Sequence, residues 1–514
     1  AGLMLSRAST RQKEMSVRLA LGAGRGRVTR QLLAESVMLS LAGAAIGILI
    51  AYWGANSLAA FVAANRYSPL YLNASPDLTV LAFTVAVALL TGILFGLAPA
   101  LRGTSVNVAA MLKENAASAA AVVSGKLPKF ALGNILVVAQ VTLSVIVLVG
   151  AGLVVRSLAH LKGVDPGFDT HNILQFGVDP TLTGYYKENQ IPPLYRELQT
   201  RLSALPGVVS VSYSSDTLLD GSLWTSDVKI QGRADKATVE TQMLAVGPDF
   251  FATMRIPAVT GSLLDQADVE SSLEVAVVNQ AFVKKFLENR EPLGLHFGGE
   301  DPKDPQYEII GVVGDTKYSD LRLAVEPTAF KPLKKGGVHF AVRTASHPLS
   351  VLPAARRVVA DLDNNLPLFD VRTQTERIER LLFNERLIAR LAALFALLAL
   401  LLACLGLYGL LAYEVAQRTR EIGIRTALGA QKRDVLRLVG TQGLALVVSG
   451  IAFGVLAALV ITRFLGSLLY EVRPTDPVTL LAVCILFLLV GVLACWIPAR
   501  RAALVDPMSA LRCE

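Results

Sequence analysis

The segment RQKEMSVRLALGA at residues 11–23 decides the fold, because it recurs as RTREIGIRTALGA at residues 418–430. At a constant offset, the two copies share seven identical residues in thirteen positions. Identities continue into the apolar run that follows each copy, for example at Gly43 and Gly450. A repeat that keeps its register over this distance indicates an internal duplication.

Each copy sorts its residues into two faces when it is placed on a helix. In the first copy, Arg11, Glu14 and Arg18 fall on one side, and Val17 and Leu21 fall on the other. The second copy repeats this division. A short, charged, amphipathic helix beside a membrane span either lies on the lipid surface or docks onto a partner protein. The pattern by itself leaves both interpretations open.

The composition indicates a membrane protein. Apolar residues make up 53% of the 514 positions and the mean hydropathy is +0.50. The net charge of +8 comes from basic residues that gather beside apolar runs, as expected for cytoplasmic segments of a membrane protein rather than a nucleic-acid site. The four cysteines lie in or just beyond apolar runs, so no disulfide framework or CxxC metal site is predicted.

Six apolar stretches are long enough to cross a bilayer, which takes about 20 residues. The predicted spans cover residues 32–58, 78–101, 130–155, 387–413, 435–465 and 478–497. The third span contains the amides Asn134 and Gln140. Such groups either mark a transport path or hydrogen-bond to neighbouring helices, and the second interpretation is favoured.

These spans divide the chain into five parts. We expect a first membrane module at residues 1–115, a cytoplasmic linker at 116–129, the first span of a second module at 130–157, a polar outer domain at 158–383, and the rest of the second module at 384–514. A span and a polar domain precede only the second copy of the repeat. The first module is therefore expected to lack its opening part.

The polar domain shows alternating strand and helix patterns. The predicted strands are residues 173–178, 208–213, 275–278, 307–313 and 338–342, and the predicted helices are 194–205, 280–288 and 352–362. Turn signals such as Asp165-Pro166-Gly167 separate them. The pattern predicts a mixed α/β domain of two lobes.

Both copies also carry a GxxxG spacing in the span that follows the amphipathic helix. Gly43 and Gly47 form the first pair, and Gly450 and Gly454 form the second. Small residues four apart let two helices approach closely in lipid. Because the spacing recurs in the same register, we predict that these glycines pack against other helices.

The residues show no convincing catalytic constellation. The five histidines lie in the polar domain without an HExxH spacing or cysteine companions, so no metal site is predicted. Asp315 and Asp320 in GDTKYSD could form a carboxylate pair, but a turn is the simpler interpretation. No GxxxxGK[ST] phosphate loop is present. We therefore expect no catalytic residues, no cofactor and no ATP hydrolysis by this chain alone.

Several segments together resemble the FtsX/MacB-type permeases of ABC transporters. They are the RxxEIGIRxALGA helix between two spans, GVDPGFDTHNIL at the start of the polar domain, VNQAFVKKF, YEIIGVVGD and the DPMSALR tail. Two such modules in one polypeptide resemble the duplicated orphan permeases of acidobacteria. The resemblance implies a transmembrane α-helical bundle of two FtsX-like modules with an inserted mixed α/β, MacB-like periplasmic core domain, in the bacterial inner membrane.

The resemblance also implies mechanotransmission, in which a cytoplasmic ABC ATPase in trans grips helices of the permease and moves its periplasmic domain. The implied ATPase-coupling residues are Arg11, Glu14, Arg18, Leu21 and Gly22, with Arg418, Glu421, Arg425, Leu428 and Gly429. A periplasmic adaptor is a further expected partner. The two halves of one chain are expected to form a pseudo-dimer.

The leading hypothesis is therefore a permease subunit for efflux or export. A second is an FtsX-like membrane scaffold that regulates a periplasmic cell-wall hydrolase. A third makes the polar domain a membrane-tethered hydrolase, which the absence of a motif disfavours.

Overall fold

The computed structural model describes residues 25–64, 77–104, 132–183, 190–222, 224–231, 238–288, 290–299, 306–417 and 431–503. The chain divides into two compact units. The helical unit comprises Ala1–Ser157 and Ile388–Glu514, and the α/β unit comprises Leu158–Leu387.

Long helices build the helical unit. In chain order they are α1 (Arg25–Ala64), α2 (Leu78–Thr104), α3 (Leu132–Lys162), α10 (Phe383–Gln417), α11 (Lys432–Ile461) and α12 (Pro477–Ala503). The last turns of α3 and the first turn of α10 belong to the α/β unit. Their sequences are apolar runs nearly free of charge, and an α-helix satisfies every internal backbone group without help from water.

Five stretches in the described residues are long and apolar enough to cross a membrane. They are Thr29–Ser57, Gly133–Lys162, Phe383–Val415, Leu436–Phe464 and Pro477–Arg500. Each coincides with a predicted span. The remaining predicted span, residues 78–101, falls on α2, where the described apolar stretch is shorter, Leu78–Ile93.

The start of α1 differs from the prediction. The sequence predicts an amphipathic segment at residues 11–23 and a span that begins at about residue 32. The described residues Arg25 to Arg30 instead belong to the same continuous helix as the span. No proline or second glycine follows Gly26 within this turn, so nothing in the backbone requires a break there. Residues 1–24 lie outside the described part of the chain.

The core of the helical unit lies between α3, α10, α11 and α12. Val145, Leu411, Val447 and Ala458 are among its buried members. Large apolar side chains on the other helix faces are exposed, including Trp53 on α1. Exposed apolar surface of this extent is typical of helices that face lipid.

Two helix pairs in this unit pack through equivalent positions of the repeat. A Cβ on Gly92 of α2 would lie 3.0 Å from Ser40 Oγ of α1, and one on Gly491 of α12 would lie 2.9 Å from Val447 Cγ1 of α11. Gly92 matches Gly491 in the repeat, and Ser40 matches Val447 at the offset of the glycine pairs. Both pairs therefore use a glycine of the later helix to approach the same place on the earlier one.

In the described residues, the α/β unit contains one sheet of eleven strands. They are β1 (Ile173–Val178), β2 (Val208–Ser214), β3 (Thr225–Ile230), β4 (Val239–Val246), β5 (Ala258–Gly261), β6 (Val275–Asn279), β7 (His296–Gly298), β8 (Gln306–Val313), β9 (Thr328–Pro332), β10 (Val338–Thr344) and β11 (Phe369–Thr373). Their order is β11-β1-β10-β2-β4-β3-β7-β8-β6-β9, with β5 beside β8 and β4 also beside β9.

Short helices cover this sheet. They are α4 (Ile191–Ser203), α5 (Phe250–Met254), α6 (Gln266–Glu270), α7 (Gln280–Phe286), α8 (Leu352–Leu362) and α9 (Gln374–Leu381). All five predicted strands and all three predicted helices of this domain are present, with ends that differ by at most three residues. The predicted mixed α/β character is confirmed.

Two separate cores hold the sheet. One lies under α4 and α8 and includes Phe176, Tyr195 and Phe340. The other lies under α7 and includes Phe282 and Phe297. Each core contains a group of aromatic rings among its aliphatic side chains, and such large rings bury much apolar area.

Candidate functional site

The predicted ATPase-coupling residues lie outside the described part of the chain. The first set falls within residues 1–24 and the second within residues 418–430. The structure therefore describes neither set. Their role remains a prediction from the sequence.

The second GxxxG pair lies in a close helix contact between α11 and α3. A Cβ on Gly450 would lie 2.7 Å from Val141 Cβ, and one on Gly454 would lie 2.6 Å from Val145 Cβ. Real Cβ atoms essentially never approach so closely. Any larger residue at either position would push the two helices apart.

The first GxxxG pair has a different environment. A Cβ on Gly43 or Gly47 of α1 would meet nothing within 4 Å among the described residues. The two pairs match in sequence, but only the pair on α11 is covered by a neighbouring helix in this part of the chain.

Polar side chains of α3 reach the backbone of neighbouring helices. Gln140 Nε2 donates to Leu402 O of α10 at 2.6 Å, and Ser144 Oγ donates to Ala399 O at 3.0 Å. Thr142 Oγ1 donates to Gly450 O of α11 at 3.2 Å. The interpretation of Gln140 as a helix-to-helix hydrogen-bond donor is confirmed. Asn134 Oδ1 is buried and has no hydrogen-bond partner in the described residues.

An ion pair joins the far end of α3 to the start of α12. Arg156 Nη1 lies 2.5 Å from Asp476 Oδ2. The same carboxylate accepts hydrogen bonds from Thr479 N at 2.9 Å and Thr479 Oγ1 at 2.6 Å. The Asp476 carboxylate thus accepts from one free N–H group at the start of α12 while it pairs with a cation on α3.

In the α/β unit, residues 314–322 form a loop that contacts the chain just after α3. We call it the bridging loop. Lys317 N donates to Pro166 O at 2.8 Å. Gly167 has a φ of +82°, and a Cβ there would lie 2.0 Å from Asp315 O. Only glycine fits this position, because both its backbone conformation and the space require it.

The same loop contacts the start of α10. Arg322 Nε lies 3.4 Å from Glu385 Oε1, with both side chains mostly buried. Tyr318 O accepts a hydrogen bond from Leu219 N at 2.7 Å, and Tyr318 OH donates to Met243 O of β4 at 3.0 Å. The bridging loop therefore connects the chain segment that leaves α3 with the segment that enters α10.

The two carboxylates of the bridging loop have turn and capping roles. Asp315 Oδ1 accepts a hydrogen bond from Ala281 N of α7 at 2.7 Å. Asp320 Oδ1 accepts one from Arg322 N at 2.8 Å. Each carboxylate is used by backbone N–H groups, which agrees with the turn interpretation.

A second loop, residues 215–222, packs beside the bridging loop, and we call it the acidic turn. Ser222 Oγ donates to Asp216 Oδ2, and it also lies 2.6 Å from Asp220 Oδ1. Thr217 Oγ1 donates to Asp220 Oδ2 at 3.0 Å. Two carboxylates thus share the hydroxyls of one short segment.

These carboxylates have opposite pKa shifts. Burial, followed by the hydrogen bond with Asp220, raises the pKa of Asp216 to about 6. Burial also acts to raise the pKa of Asp220, but hydrogen bonds with Asp216 and Ser222 outweigh it and leave that pKa lowered. The pair therefore holds one proton more readily than two isolated aspartates would.

A buried polar network ties the acidic turn to α9, the helix just before α10. Gln374 Nε2 donates to Leu218 O at 2.9 Å and accepts at Oε1 from Gln175 at 2.7 Å. Arg377 Nε donates to Gln175 Oε1 at 2.6 Å, and its Nη2 lies 2.6 Å from Asp370 Oδ2. Because these groups are buried and satisfied, the network fixes the position of α9 against the sheet.

The sequence did not reveal these connections. GDTKYSD was recognised as a turn, but nothing in its composition shows that it contacts residues about 150 positions earlier and 60 later. The one available signal was Gly167 within Asp-Pro-Gly. Among the described residues, no group of three or more His, Cys, Asp or Glu side chains is placed to hold a metal ion.

Two protein-family models match the chain. The model described as "FtsX-like permease C-terminal" matches residues 1–108 and 393–507, and the "MacB-like periplasmic core domain" matches residues 130–361. The chain belongs to the FtsX/MacB-type permeases. The core-domain model covers α3 and most of the α/β unit, and the FtsX-like model covers α1, α2, α11, α12 and most of α10.

Curated relatives support this assignment. The chain is 29% identical over 298 residues to the macrolide export ATP-binding/permease protein MacB of Rhodospirillum rubrum. The matched region is 55% of this chain and 44% of that relative. It is 28% identical over 282 residues to the pyoverdine export ATP-binding/permease protein PvdT of Pseudomonas syringae pv. tomato. That match covers 52% of this chain and 42% of the relative. The chain thus spans less than half the length of these relatives.

Among solved structures, the permease matches the periplasmic region of MacB from Actinobacillus actinomycetemcomitans. The TM-score is 0.29 at 14% identity, with 43% of this chain and 94% of that one covered.

Proposed function

We propose that this chain is the permease subunit of a MacB/FtsX-type ABC transporter in the bacterial inner membrane. A separate cytoplasmic ATPase binds it, and ATP hydrolysis moves residues 158–383 on the periplasmic side to drive efflux or export. The names of the relatives, which combine ATP-binding and permease functions in export proteins, support this proposal.

The observation that carries the proposal is the bridging loop. It contacts Pro166 just after α3 and Glu385 at the start of α10. A shift of either segment changes contacts of the same loop, which also packs against β4 through Tyr318. The α/β unit thus has one element that both chain connections would displace, as a force-transmitting domain requires.

The ATPase enters the proposal through the repeated amphipathic segment. A bound nucleotide can shift the permease between two conformations only if the ATPase binds them with different affinity. We assign that difference to Arg11, Glu14, Arg18, Leu21 and Gly22 and to Arg418, Glu421, Arg425, Leu428 and Gly429. The two copies would serve the two subunits of an ATPase dimer, with a periplasmic adaptor as a further partner.

The proposal also assigns a pseudo-symmetric arrangement to the two matching halves of the chain. Two FtsX-like modules in one chain would place the two amphipathic segments as a pseudo-symmetric pair. The equivalent packing of Gly92 on Ser40 and of Gly491 on Val447 supports this arrangement. The boundaries we propose are 1–115, 116–129, 130–157, 158–383 and 384–514.

The experiment begins with purification of the tagged permease from native membranes and identification of the proteins bound to it. We expect an ABC ATPase whose hydrolysis rate rises with the permease present. Glu421→Lys and Arg425→Glu together should leave membrane insertion intact and abolish this stimulation. Glu308→Lys, an exposed change on β8, is the control and should leave it unchanged.

Unaltered stimulation in the Glu421→Lys, Arg425→Glu variant would contradict the assignment of the coupling segment. Purification with a cell-wall hydrolase, and without an efflux adaptor, would instead support the FtsX-like scaffold.

A further inference from the structure

The acidic turn has a strained backbone at its centre. Leu219 is fully buried and has a φ of +61°, a left-handed conformation in which a leucine is an outlier. Such a conformation persists only where the surrounding contacts hold it. Asp216 and Asp220 lie on either side of Leu219 in the chain, and their hydrogen bonds close the turn. The protonation of these two carboxyls therefore affects how firmly the turn is held.

One serine hydroxyl stands between the two carboxylates. Ser222 Oγ donates to Asp216 Oδ2 and lies 2.6 Å from Asp220 Oδ1. A hydroxyl has one proton to donate, so it satisfies only one of these two oxygens at a time. The backbone N–H groups and the other hydroxyl of the turn are already used, since Thr217 and Ser222 donate them to the same carboxylates. A second proton, carried by one of the two carboxyls, completes the hydrogen bonding of the pair.

Three other elements bring ionisable groups to the turn. Tyr318 of the bridging loop faces both carboxylates, and burial together with their charges raises its pKa, so it stays neutral. On β10, burial followed by the charge of Arg377 lowers the pKa of His339, which faces Asp220, so this ring is neutral near pH 7. Arg377 itself, on α9, pairs with Asp370 at 2.6 Å. These groups are neutral or already paired, so the two aspartates set the charge of the turn.

The backbone between the two aspartates is hydrogen-bonded to two other elements. Leu218 O accepts from Nε2 of Gln374, the first residue of α9, at 2.9 Å. Leu219 N donates to Tyr318 O of the bridging loop at 2.7 Å. One residue after α9 ends, α10 begins. The acidic turn therefore supports both the bridging loop and the helix that leads into α10.

We infer that the acidic turn is a proton-controlled joint between α9 and the bridging loop. With one proton shared between Asp216 and Asp220, the turn is closed and holds both elements. When that proton is lost, only the Ser222 hydroxyl proton remains between two negative charges, and their repulsion opens the turn. Mild acid thus stiffens the segment that precedes α10. The regulatory meaning rests on the proposed function, in which ATP hydrolysis moves residues 158–383, whereas the joint itself is measured without an ATPase.

Hydrogen exchange of the purified full chain in nanodiscs tests the joint. Samples at pH 5.0 and pH 7.5 are compared after correction for the intrinsic exchange rate at each pH. The pKa of Asp216 is about 6 in the closed turn, against its ordinary value of 3.8 in an open one. The closed turn should therefore be favoured about tenfold more at pH 5.0 than at pH 7.5. We expect the corrected exchange of residues 217–222 and 374–381 to be slower at pH 5.0 by about this factor.

Two variants separate this proton from other effects of pH. An amide at either aspartate can donate the hydrogen bond that the shared proton supplies. Asp216→Asn and Asp220→Asn should therefore abolish the tenfold difference and keep both segments as protected at pH 7.5 as at pH 5.0. A change that merely loosened the turn would speed exchange at both pH values instead. Asp361→Asn, an exposed change on α8, is the matched control and should keep the difference.

Equal corrected exchange at the two pH values in the unchanged chain would overturn the inference. A pH difference that persists in both Asn variants would also overturn it, since another group would then carry the effect. A difference confined to residues 217–222 would show that the turn titrates without holding α9, and the joint would be rejected. None of these results depends on ATPase stimulation, so the joint and the proposed function fail independently.

Discussion

Gly454 of α11 lies so close to Val145 of α3 that a Cβ on the glycine would stand 2.6 Å from the valine Cβ. The contact brings the helix that follows the second amphipathic segment against the span that leads into the α/β unit. A larger side chain at this contact on either helix would therefore displace the other helix, because no free space separates them.

The first prediction concerns this contact. Gly454→Ile should lower the thermal unfolding temperature of the purified permease by several degrees, since overpacking costs about 1–3 kcal/mol. Gly47→Ile is the matched control. It makes the same substitution at the equivalent position of the repeat, where a Cβ meets nothing within 4 Å among the described residues. Equal losses in the two variants would show that the measured effect is not caused by the α3 contact.

The second prediction concerns the bridging loop. Gly167→Ala should destabilise the permease and speed hydrogen exchange of residues 314–322, because the new Cβ would collide with Asp315 O. Gly336→Ala is the control, since Gly336 has a similar positive φ of +93° and open space around its Cβ. Both variants carry the left-handed backbone cost of about 1–2 kcal/mol. Faster exchange in the bridging loop is expected only for Gly167→Ala, and its absence would contradict the contact.

The third prediction concerns the connection to α10. Arg322→Glu or Glu385→Arg alone should lower the unfolding temperature, because each places like charges 3.4 Å apart where opposite charges now stand. The combined exchange should recover part of the loss. A double-mutant cycle measures this coupling, which is typically 0.5–3 kcal/mol for residues in contact. A coupling of zero would mean that the pair does not hold the loop to α10.

The fourth prediction concerns pH. The pKa of Asp216 is raised from 3.8 to about 6, so the folded chain holds this proton more tightly than the unfolded chain does. Its contribution to stability is full below about pH 4 and is lost as the pH rises through 6. The pKa of Asp220 is lowered, so its contribution to stability has the opposite sign: it is present above the unfolded pKa of about 4 and is lost only as the pH falls below that value.

Asp216→Asn keeps a hydrogen-bond donor in place of the protonated acid and removes the titration. We expect the variant to unfold at a higher temperature than the unchanged chain at pH 7.5, with the difference shrinking towards pH 5. Asp361→Asn, an exposed change, should show no such pH dependence. A difference that grows as the pH falls would reverse the assigned direction.

Parts of this fold were predictable because their signals are local. The apolar runs that become α3, α10, α11 and α12 are long and nearly uncharged, so length and composition suffice. β1 and α8 were predicted with their observed bounds, Ile173–Val178 and Leu352–Leu362. In each segment the apolar pattern fits a single type of element, and turn-forming residues mark both ends. Short strands such as β9, with Lys331 and Pro332 at its end, lack an alternating pattern and were missed.

The sequence by itself determined that residues 11–23 and 418–430 match, that the apolar runs are helices suited to a membrane, and that an α/β domain lies between two of those runs. These features depend on residue patterns within one segment. Tertiary structure alone decided that Gly454 is covered in the described chain while Gly47 is not, that Pro166 and Glu385 meet one loop, and that Asp216 shares a proton site with Asp220. Such relationships depend on distances between segments far apart in the chain, and residue type does not encode those distances locally.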